Sequence, residues 1–577
     1  MLKSDRIRIN IFLATFFIVF SLIGYRLFVL SYYEHVRYAK IAEAQIEHIN
    51  NIIVRGNIYF TDKDGERTLA ATNKKFPVAV LVPARIEPER TQETADVLAN
   101  IAGAKAEAIT KIIATRADVE RIVSKKLTSE QVATLEALNI KGVSVAYQTD
   151  RYYPGGTIGA DVLGFLGYNG GDERSGQYGI EAYYDAELAG VANRGDVPNK
   201  QASFLDRMSS LWGGGTSPAA SEGLQPHDIV LTIDKNVQAV AEDALENVLK
   251  RWSAAGGSVI VEDPKTGRIL AMADRPSFDP NTYGTFEQQS FLNATVQHVF
   301  EPGSSFKPIT MAAGLDLRKV TPETTYTDTG TVTSDGRTIR NFDEKAHGVQ
   351  TMARVLEKSL NTGAVFVEGL VGDDHFLNYV INMGFGQKTG IDLPGELSGD
   401  ISNLYSGRKI NYLTAAFGQG IAVTALQLVN AFAAIANGGR LMRPYIVDRV
   451  ITEGGQEVVT KPEMVGTPLS ERTSATLKEM LVGVVDRGFD KARIKGYDVA
   501  GKTGTAQIAD GKGGYLENEF IHDFVGFAPA SDPRFVILIK MDKPQGVTFA
   551  ADSLSPVFRE IASFLLTYYT IPPTRKY

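Results

Sequence analysis

The sequence contains no cysteine and little histidine, and these two shortages exclude several kinds of chemistry. With 0 cysteines, the chain has no disulfide, no thiolate metal site and no cysteine nucleophile. The 7 histidines show neither an HExxH pattern nor any other spacing typical of metal ligands. We therefore expect an activity that needs no metal and no cofactor.

The chain also has little excess charge and no repetitive sequence. Its formal net charge of -7 is small for 577 residues, so we expect no nucleic-acid partner. Internal repeats and low-complexity tracts are absent. With 44% hydrophobic and 22% charged residues, the composition is that of a globular protein with room for several domains.

A single long apolar run lies near the N-terminus. Residues 9–30 contain Arg26 as their only charged side chain, and the run is long enough to span a bilayer if Arg26 snorkels to the interface. The basic residues within positions 1–8 place that tail in the cytoplasm and the rest of the chain outside. We predict a retained single-pass anchor in the cell membrane. A cleavable signal peptide is the alternative, disfavoured by the length of the run and the lack of a small-x-small site directly after it.

Residues 31–225 offer no nucleophile, base or metal cluster at an informative spacing. We predict an extended α/β pedestal that binds partners. Its first expected parts are a helical stalk at 32–54 and a hairpin with an Asp-Gly turn at 55–70. A helical stretch at 92–140, with a capping signal at Thr128 and Gln131, and a strand at 142–148 follow. A Gly/Ser/Asn/Pro-rich loop is expected at 193–226.

Residues 226–577 show strands at both ends and helical patterns between them, which predicts one α+β domain. Two strands, 257–262 and 268–273, flank an Asp-Pro-Lys-Thr-Gly turn and predict a hairpin. The helical patterns cover residues 352–384, 412–437 and 470–487.

The stretch that organises this region is Phe-Glu-Pro-Gly-Ser-Ser-Phe-Lys-Pro at residues 300–308. After the Pro302-Gly303 turn, Ser304 is the first residue able to open a helix, and Lys307 follows one turn later on the same face. A serine hydroxyl is a weak nucleophile without a base, and a lysine acts as a base only when burial or a neighbouring cation lowers its pKa. The same pattern recurs at Ser406 and Lys409, where a helix cap and a solvated lysine suffice to explain it.

Two further motifs accompany Ser304. Ser359-Leu360-Asn361 closes the helical run that begins near residue 352 and supplies a hydroxyl and an amide. Lys502-Thr503-Gly504 with Thr505 is predicted on an exposed strand whose glycines permit close approach of another backbone or a ligand. Lys-Thr-Gly also occurs at residues 265–267 and 388–390, where turns are predicted, and Phe-Gly-Gln-Gly at 417–420 predicts a close-packed turn near the site.

The ordered set of these motifs resembles the signature of penicillin-binding proteins and serine β-lactamases. Stretches at residues 55–59, 151–154, 179–185 and 523–529 look like class B penicillin-binding proteins, so the resemblance covers almost the whole chain. Glu-Pro-Gly-Ser before the helix and Thr-Ala-Gln after Lys-Thr-Gly resemble the cell-division (septal) type more than the elongation type. The middle motif departs from the Ser-Asp-Asn pattern at Leu360, a position without an assigned chemical role.

The resemblance implies a transpeptidase domain with an antiparallel sheet flanked by helices, and a D,D-transpeptidase activity. Ser304 would attack the bond between two D-alanines of a peptidoglycan stem peptide, with Lys307 as base and the N–H groups of Ser304 and Thr505 as oxyanion donors. Whether Lys307 or a relay through Ser359 takes the first proton stays open. The other roles implied are proton relay to the leaving amine by Ser359 with Lys502, positioning by Asn361, and carboxylate binding by Thr503, Gly504 and Thr505.

The resemblance also implies partners and a location. These are β-lactam antibiotics, a multispanning glycan polymerase and other division proteins, at the division septum of the cell membrane. Two alternatives use the same residues: a D,D-carboxypeptidase or β-lactamase that passes the acyl group to water, and a penicillin sensor or scaffold without catalysis. A cytoplasmic tail of residues 1–8 is too short to house a sensor output, and the complete motif set argues against a decayed site.

Overall fold

The computed structural model describes residues 3–29, 55–124, 126–169, 174–190, 225–452, 454–488, 490–509 and 514–576. The chain divides into two compact units. One contains Asn73–Tyr152, and the other contains Arg55–Thr72 together with Tyr153–Tyr577. The division therefore falls inside the region predicted as one pedestal. The predicted stalk at 32–54 and nearly all of the predicted loop at 193–226 lie outside the described residues.

The N-terminal segment predicted as an anchor forms the helix Lys3–Phe28. None of the helices in the described ranges is both long enough and apolar enough to cross a membrane. The anchor thus stays a prediction.

The unit containing Asn73–Tyr152 is built from three helices packed on strands. The helices are Thr91–Ala102, Ala106–Ala114 and Ser129–Leu138, and the strands are the later part of Arg67–Leu81 with Arg121–Ile122 and Val143–Tyr152. The predicted helical stretch, its cap and the following strand are confirmed. At the cap, the N–H of Gln131 donates to Thr128 Oγ1 at 3.2 Å while the N–H of Thr128 donates to Gln131 Oε1 at 2.8 Å.

The second unit begins with the predicted hairpin, formed by Ile58–Thr61 and the start of Arg67–Leu81. Ile58–Thr61 also pairs in parallel with Asp228–Leu231, and that strand pairs antiparallel with Val447–Ile451.

At the centre of the second unit lies an antiparallel sheet of five strands. Its order is Ala500–Ala509, Tyr515–Ala528, Phe535–Asp542, Gly256–Glu262 and Ile269–Arg275. The predicted hairpin at 257–273 supplies the last two. Both faces of the sheet carry apolar side chains that pack against helices. Val259 and Val261 join the cluster with Lys235–Arg251 and Ser555–Tyr568, whereas Ile260 joins the one with Ala425–Ala436. The α+β class with a helix-flanked antiparallel sheet is confirmed.

The predicted helical middle is broken where residues adopt positive φ. Ser359 at φ +56° and Gly372 at φ +86° divide residues 352–384 into three helices, since a right-handed helix has no place for that backbone angle. The remaining helices of the unit are Ala160–Leu163, Gly179–Tyr183, Asp185–Ala189, Ala294–Gln297, Lys307–Asp316, Met352–Glu357, Asn361–Val371, Asp373–Asn382, Lys409–Ala415, Glu471–Gly483 and Ala550–Ser553. Short strands complete it: Phe165–Tyr168, Arg174–Gln177, Val299–Phe300, Thr325–Asp328, Thr331–Ser334, Arg337–Arg340, Gly348–Thr351, Val423–Thr424, Leu441–Met442, Glu457–Val459 and Met464–Gly466.

A buried ion pair joins residues 55–59 to residues 179–185, two of the segments that resemble class B penicillin-binding proteins. Arg55 Nε lies 2.6 Å from Glu181 Oε2, and Arg55 Nη1 lies 2.8 Å from Asp185 Oδ1. The hydroxyl of Tyr153 donates to Glu181 Oε1 at 3.2 Å and accepts from the N–H of Leu166 at 2.9 Å. Both charges of the Arg55–Glu181 pair are almost fully buried, so each depends on the other for solvation.

We predict that Glu181→Ala lowers the free energy of unfolding by about 3 kcal/mol, because it leaves the buried Arg55 guanidinium without its main counter-charge. Urea denaturation followed by circular dichroism measures the change. Lys491→Ala, which removes the half-exposed pair with Asp552, is the control and should cost about 0.5 kcal/mol or less. Equal effects of the two substitutions would contradict the assignment.

Candidate active site

Ser304 lies in a tight turn that a glycine contact holds in place. The turn Gly303–Phe306 leads directly into the helix Lys307–Asp316. Gly303 adopts φ +58°, and its N–H donates to the carbonyl of Gly418 at 3.0 Å. A Cβ on Gly418 would lie 2.1 Å from the carbonyl oxygen of Gly303, so only glycine allows the two backbones to approach this closely. The predicted close-packed turn at 417–420 is confirmed.

Two lysines converge on the hydroxyl of Ser359. Lys307 Nζ donates to the carbonyl of Ser359 and, at 3.1 Å, to its Oγ. Lys502 Nζ lies 3.0 Å from the same Oγ. The left-handed backbone of Ser359 turns its carbonyl and hydroxyl toward both ammonium groups. The structure thus brings together Ser304, Lys307, Ser359 and Lys502 from three distant motifs.

Burial and mutual repulsion set the charges of the two lysines. Lys307 is 1% exposed and Lys502 is 0% exposed. Burial lowers the pKa of Lys307 well below its ordinary value, and the charge of Lys502 lowers it further. Burial also lowers the pKa of Lys502 to about 7, an effect that the carboxylate of Asp523 opposes. A neutral Lys307 beside a Lys502 that holds its proton near neutral pH is therefore the favoured arrangement.

The strand Ala500–Ala509 is the edge strand of the central sheet, as its glycines predict, but its first half is not exposed. Lys502 and Thr503 are buried because the turn that carries Ser304 packs over the strand. A Cβ on Gly504 would lie 2.4 Å from the carbonyl oxygen of Pro302, so the strand meets the turn at a position that admits only glycine. The expectation of an exposed strand was wrong for these residues. Thr505 Oγ1 accepts from the N–H of Ala550 at 3.2 Å.

Asn361 is placed at the edge of the same site with a different contact from the one expected. It is the first residue of the helix Asn361–Val371, and its Nδ2 donates to the carbonyl of Arg340 at 2.8 Å. Among the described residues no hydrogen bond joins it to Lys307, whose ammonium is directed to Ser359.

The look-alike motifs make contacts away from the site, but, contrary to expectation, Ser406 is not the N-cap of the helix Lys409–Ala415 and Lys409 is not simply solvated. Ser406 Oγ donates to the carbonyl of Asn403 at 2.6 Å, and Lys409 Nζ binds Glu368 and Asp373. Lys265 and Thr389 lie in a turn and a loop, where their partners are Asp532 and Glu396.

Comparisons with known proteins agree with this geometry. The family described as "Penicillin binding protein transpeptidase domain" matches residues 257–563, more than half of the chain, and the family described as "Penicillin-binding Protein dimerisation domain" matches residues 54–197. The chain belongs to the class B penicillin-binding proteins.

Relatives of this family resemble the chain over most of its length. Stage V sporulation protein D of Bacillus subtilis is 35% identical over 530 residues, which cover 90% of this chain and 79% of that protein. The probable peptidoglycan D,D-transpeptidase PbpC of Pseudomonas aeruginosa is 31% identical and covers 78% of this chain and 76% of its own length. The crystal structure of penicillin-binding protein 3 from Mycobacterium tuberculosis with aztreonam superposes with a TM-score of 0.67 at 25% identity, covering 90% and 97% of the two chains.

Three features of this penicillin-binding protein's site escaped the sequence analysis. Asp523 lies fully buried behind Gly504; an acidic residue directly before the apolar run at 524–528 was the available signal. The rings of Phe342 and Phe549, both about half exposed, meet edge to face with centroids 5.2 Å apart. Glu301 accepts from the hydroxyl of Tyr515 at 3.0 Å and from the N–H of Gly420 at 3.0 Å, and no local pattern marks that connection.

We predict that Gly418→Ala slows covalent labelling by a fluorescent penicillin roughly 100-fold, because the added Cβ displaces the turn that carries Ser304. Labelling kinetics of the purified protein measure the effect. Gly407→Ala is the matched control: it has a similar φ of +70° but nothing within 4 Å of the added Cβ. If both variants slowed labelling equally, backbone strain rather than the contact with Gly303 would be responsible.

Proposed function

We propose that this chain is a peptidoglycan D,D-transpeptidase that crosslinks stem peptides through an acyl-serine intermediate in septal cell-wall synthesis. The observation that carries the proposal is the meeting of Lys307 and Lys502 at the hydroxyl of Ser359. Membership of the penicillin-binding protein family supports it, as do relatives named peptidoglycan D,D-transpeptidase.

In the acylation step, Ser304 Oγ attacks the carbonyl carbon between the two D-alanines of the donor stem. The neutral Lys307 takes the serine proton, for which its lowered pKa suits it. The N–H groups of Ser304 and Thr505 stabilise the oxyanion, which forms between the start of the helix and the edge strand. Collapse of the tetrahedral intermediate breaks the peptide bond and leaves an ester on Ser304.

The departing D-alanine needs a proton on its amine. Ser359 supplies it and is reprotonated through the lysines that contact its Oγ at 3.1 and 3.0 Å. The donor's terminal carboxylate binds Lys502 and the hydroxyls of Thr503 and Thr505. Because Thr505 Oγ1 accepts from the N–H of Ala550, the hydroxyl proton of Thr505 is free to donate to that carboxylate.

An amine from a neighbouring stem then attacks the ester, forms the crosslink and releases Ser304. Asn361 Nδ2, directed at the Arg340 carbonyl in this structure, is proposed to hold the donor amide when a stem is bound. β-Lactams acylate the same serine because they mimic the donor; structures of a related penicillin-binding protein complexed with aztreonam and with ampicillin support this.

The remaining parts of the chain serve location and assembly in this proposal. Residues 1–8 are a cytoplasmic tail, 9–30 a membrane anchor, 31–225 the pedestal and 226–577 the transpeptidase domain. The compact unit Asn73–Tyr152 holds none of the proposed catalytic side chains, so it is the natural contact surface for a multispanning glycan polymerase and other division proteins. One relative is named a sporulation protein, so the septal role depends on the resemblance of the sequences around Ser304 and Thr505.

We predict that Ser304→Ala abolishes labelling by a fluorescent penicillin, whereas Ser406→Ala labels like wild type, because Ser304 lies on the turn that leads directly into Lys307, whereas the hydroxyl of Ser406 donates to the carbonyl of Asn403. Gel fluorescence and intact mass measure the adduct. Stoichiometric labelling with slow turnover supports a transpeptidase. Rapid turnover would indicate a hydrolase, and no labelling of the wild-type protein would indicate a scaffold.

We also predict that replacing residues 73–152 with a Gly-Ser linker leaves penicillin labelling within about threefold of wild type, since these residues have their own core. The same change should abolish stimulation of the partner polymerase in a reconstituted glycan-synthesis assay. Full-length Ser304→Ala is the converse control, with stimulation retained and labelling lost. Loss of both functions in the linker variant would contradict this division of roles.

A further inference from the structure

Asp523 is a buried carboxylic acid that the proposed mechanism does not use. It lies in the strand Tyr515–Ala528 and is 0% exposed. Neither of its carboxyl oxygens has a hydrogen-bond partner among the described residues. A Cβ on Gly504 would lie 2.1 Å from Asp523 Oδ2, so this carboxyl group presses directly against the Lys-Thr-Gly motif. An unpaired buried acid is costly, and such a group at a reaction site points to a function.

Asp523 belongs to a row of residues that crosses the whole central sheet. Residues directly opposite each other on antiparallel strands point to the same face. The register places one residue from each strand in the row: Gly504, Asp523, Lys540, Ser258 and Asp274. Lys502, two residues from Gly504 on the edge strand, shares that face. The carboxyl group of Asp523 therefore stands between the ammonium groups of two different strands.

Lys540, which lies opposite Asp523 on the next strand of the sheet, already has a partner. Lys540 Nζ lies 2.6 Å from Asp542 Oδ1. The hydroxyl of Ser305, on the turn above, donates its proton to the carbonyl of Pro302 at 2.8 Å. Lys502 Nζ donates to Ser359 Oγ at 3.0 Å and to the carbonyl of Thr503 at 3.1 Å, and its charge acts on the carboxyl group of Asp523.

The remaining groups around the strand do not alter this balance. The helix Ala425–Ala436, packed against the same strand, contains no ionisable residue. His522 has its ring bonded to Ser553 on the opposite face, and burial lowers its pKa to about 4, so it is neutral. Asp552, Arg559 and Glu560 are carried by the helices on that opposite face.

We propose that Asp523 is a positioning residue of the transpeptidase site, whose carboxylate keeps Lys502 charged and fixed behind Gly504 while the donor binds and reacts. This inference depends on the role proposed above for Lys502. A charged Lys502 binds the donor carboxylate, supports proton transfer through Ser359 and repels the charge of Lys307. Asp523 thereby acts on the reaction through Lys502, without contact with the substrate.

The direction of the pH effect follows from the charges. Burial raises the pKa of Asp523 to about 7, and the nearby Ser305 hydroxyl, followed by the charges of Lys502 and Lys540, opposes that rise. When Asp523 is ionised it stabilises the ammonium form of Lys502 and raises that lysine's pKa. Asparagine has the same shape and no charge, so Asp523→Asn lets Lys502 lose its proton at a lower pH. Below about pH 6 Asp523 is protonated in the wild type, and the two proteins become electrostatically alike.

The experiment measures the second-order rate of acylation by a fluorescent penicillin between pH 5.5 and 9.5, together with the melting temperature. For Asp523→Asn we expect the wild-type rate near pH 6. On the alkaline side, the rate should begin to fall about one pH unit lower than in the wild type, which makes the reaction about tenfold slower at pH 8. Asp523→Ser, which also removes the charge, should shift this alkaline fall in the same direction and keeps the test open if one variant folds poorly.

Glu262→Gln is the matched control. Glu262 is likewise 0% exposed with both carboxyl oxygens unpaired among the described residues, and it lies in Gly256–Glu262, three strands away from the edge strand that carries Lys502. It should change the melting temperature without moving the pH profile. A wild-type profile for both Asp523 variants, or a rate lowered equally at every pH, would overturn the inference. Lys502→Ala tests its foundation: undiminished labelling at all pH values would refute the role of Lys502 itself, independently of Asp523.

Discussion

The structure of this site depends on placing two lysines against one serine hydroxyl in a buried space. Two ammonium groups so close together are unfavourable away from water, and the cost is relieved when one of them gives up its proton. Lys307 is the one more strongly affected, since Lys502 repels its charge, whereas the charge of Lys502 is supported by Asp523. The repulsion that would destabilise a structural ion cluster here favours the neutral amine that the proposed mechanism uses as its base. The close approach of the two lysines therefore accounts both for the electrostatics of the site and for its proposed chemistry.

Close backbone contacts make this convergence possible. The turn carrying Ser304 touches Gly418 on one side and Gly504 on the other, and at both positions a Cβ would collide with a backbone oxygen. Ser359 reaches both lysines only because it adopts a left-handed backbone angle between two helices. These close contacts and the left-handed angle of Ser359 bring the turn of Ser304 against the edge strand and place Lys307 and Lys502 within hydrogen-bonding distance of the Ser359 hydroxyl.

The wider fold holds these irregular positions between rigid elements. The edge strand is supported by four further strands with helices on both faces, and the segment around Arg55 is fixed by its buried pair with Glu181. Keeping Asp523 buried inside this rigid fold costs stability. The role proposed for Asp523, which is to position Lys502, explains why that cost is tolerated. The aromatic contact of Phe342 with Phe549 links two neighbouring segments. Next to Phe342, Asn341 accepts from the N–H of Thr362, and next to Phe549, the N–H of Ala550 donates to Thr505 Oγ1.

The sequence by itself determined many of the elements and the fold class, and it supplied the side chains proposed to react, because periodicity, capping signals and motif order are local properties of the chain. It predicted the hairpins, the cap at Thr128 and the close turn at Gly418. It did not predict that Lys502 is buried, that Asn361 bonds to Arg340 or that Asp523 lies behind Gly504. Those facts depend on which strands and turns pack together across long separations in sequence, and burial, which sets the charge of each lysine, exists only once that packing has formed.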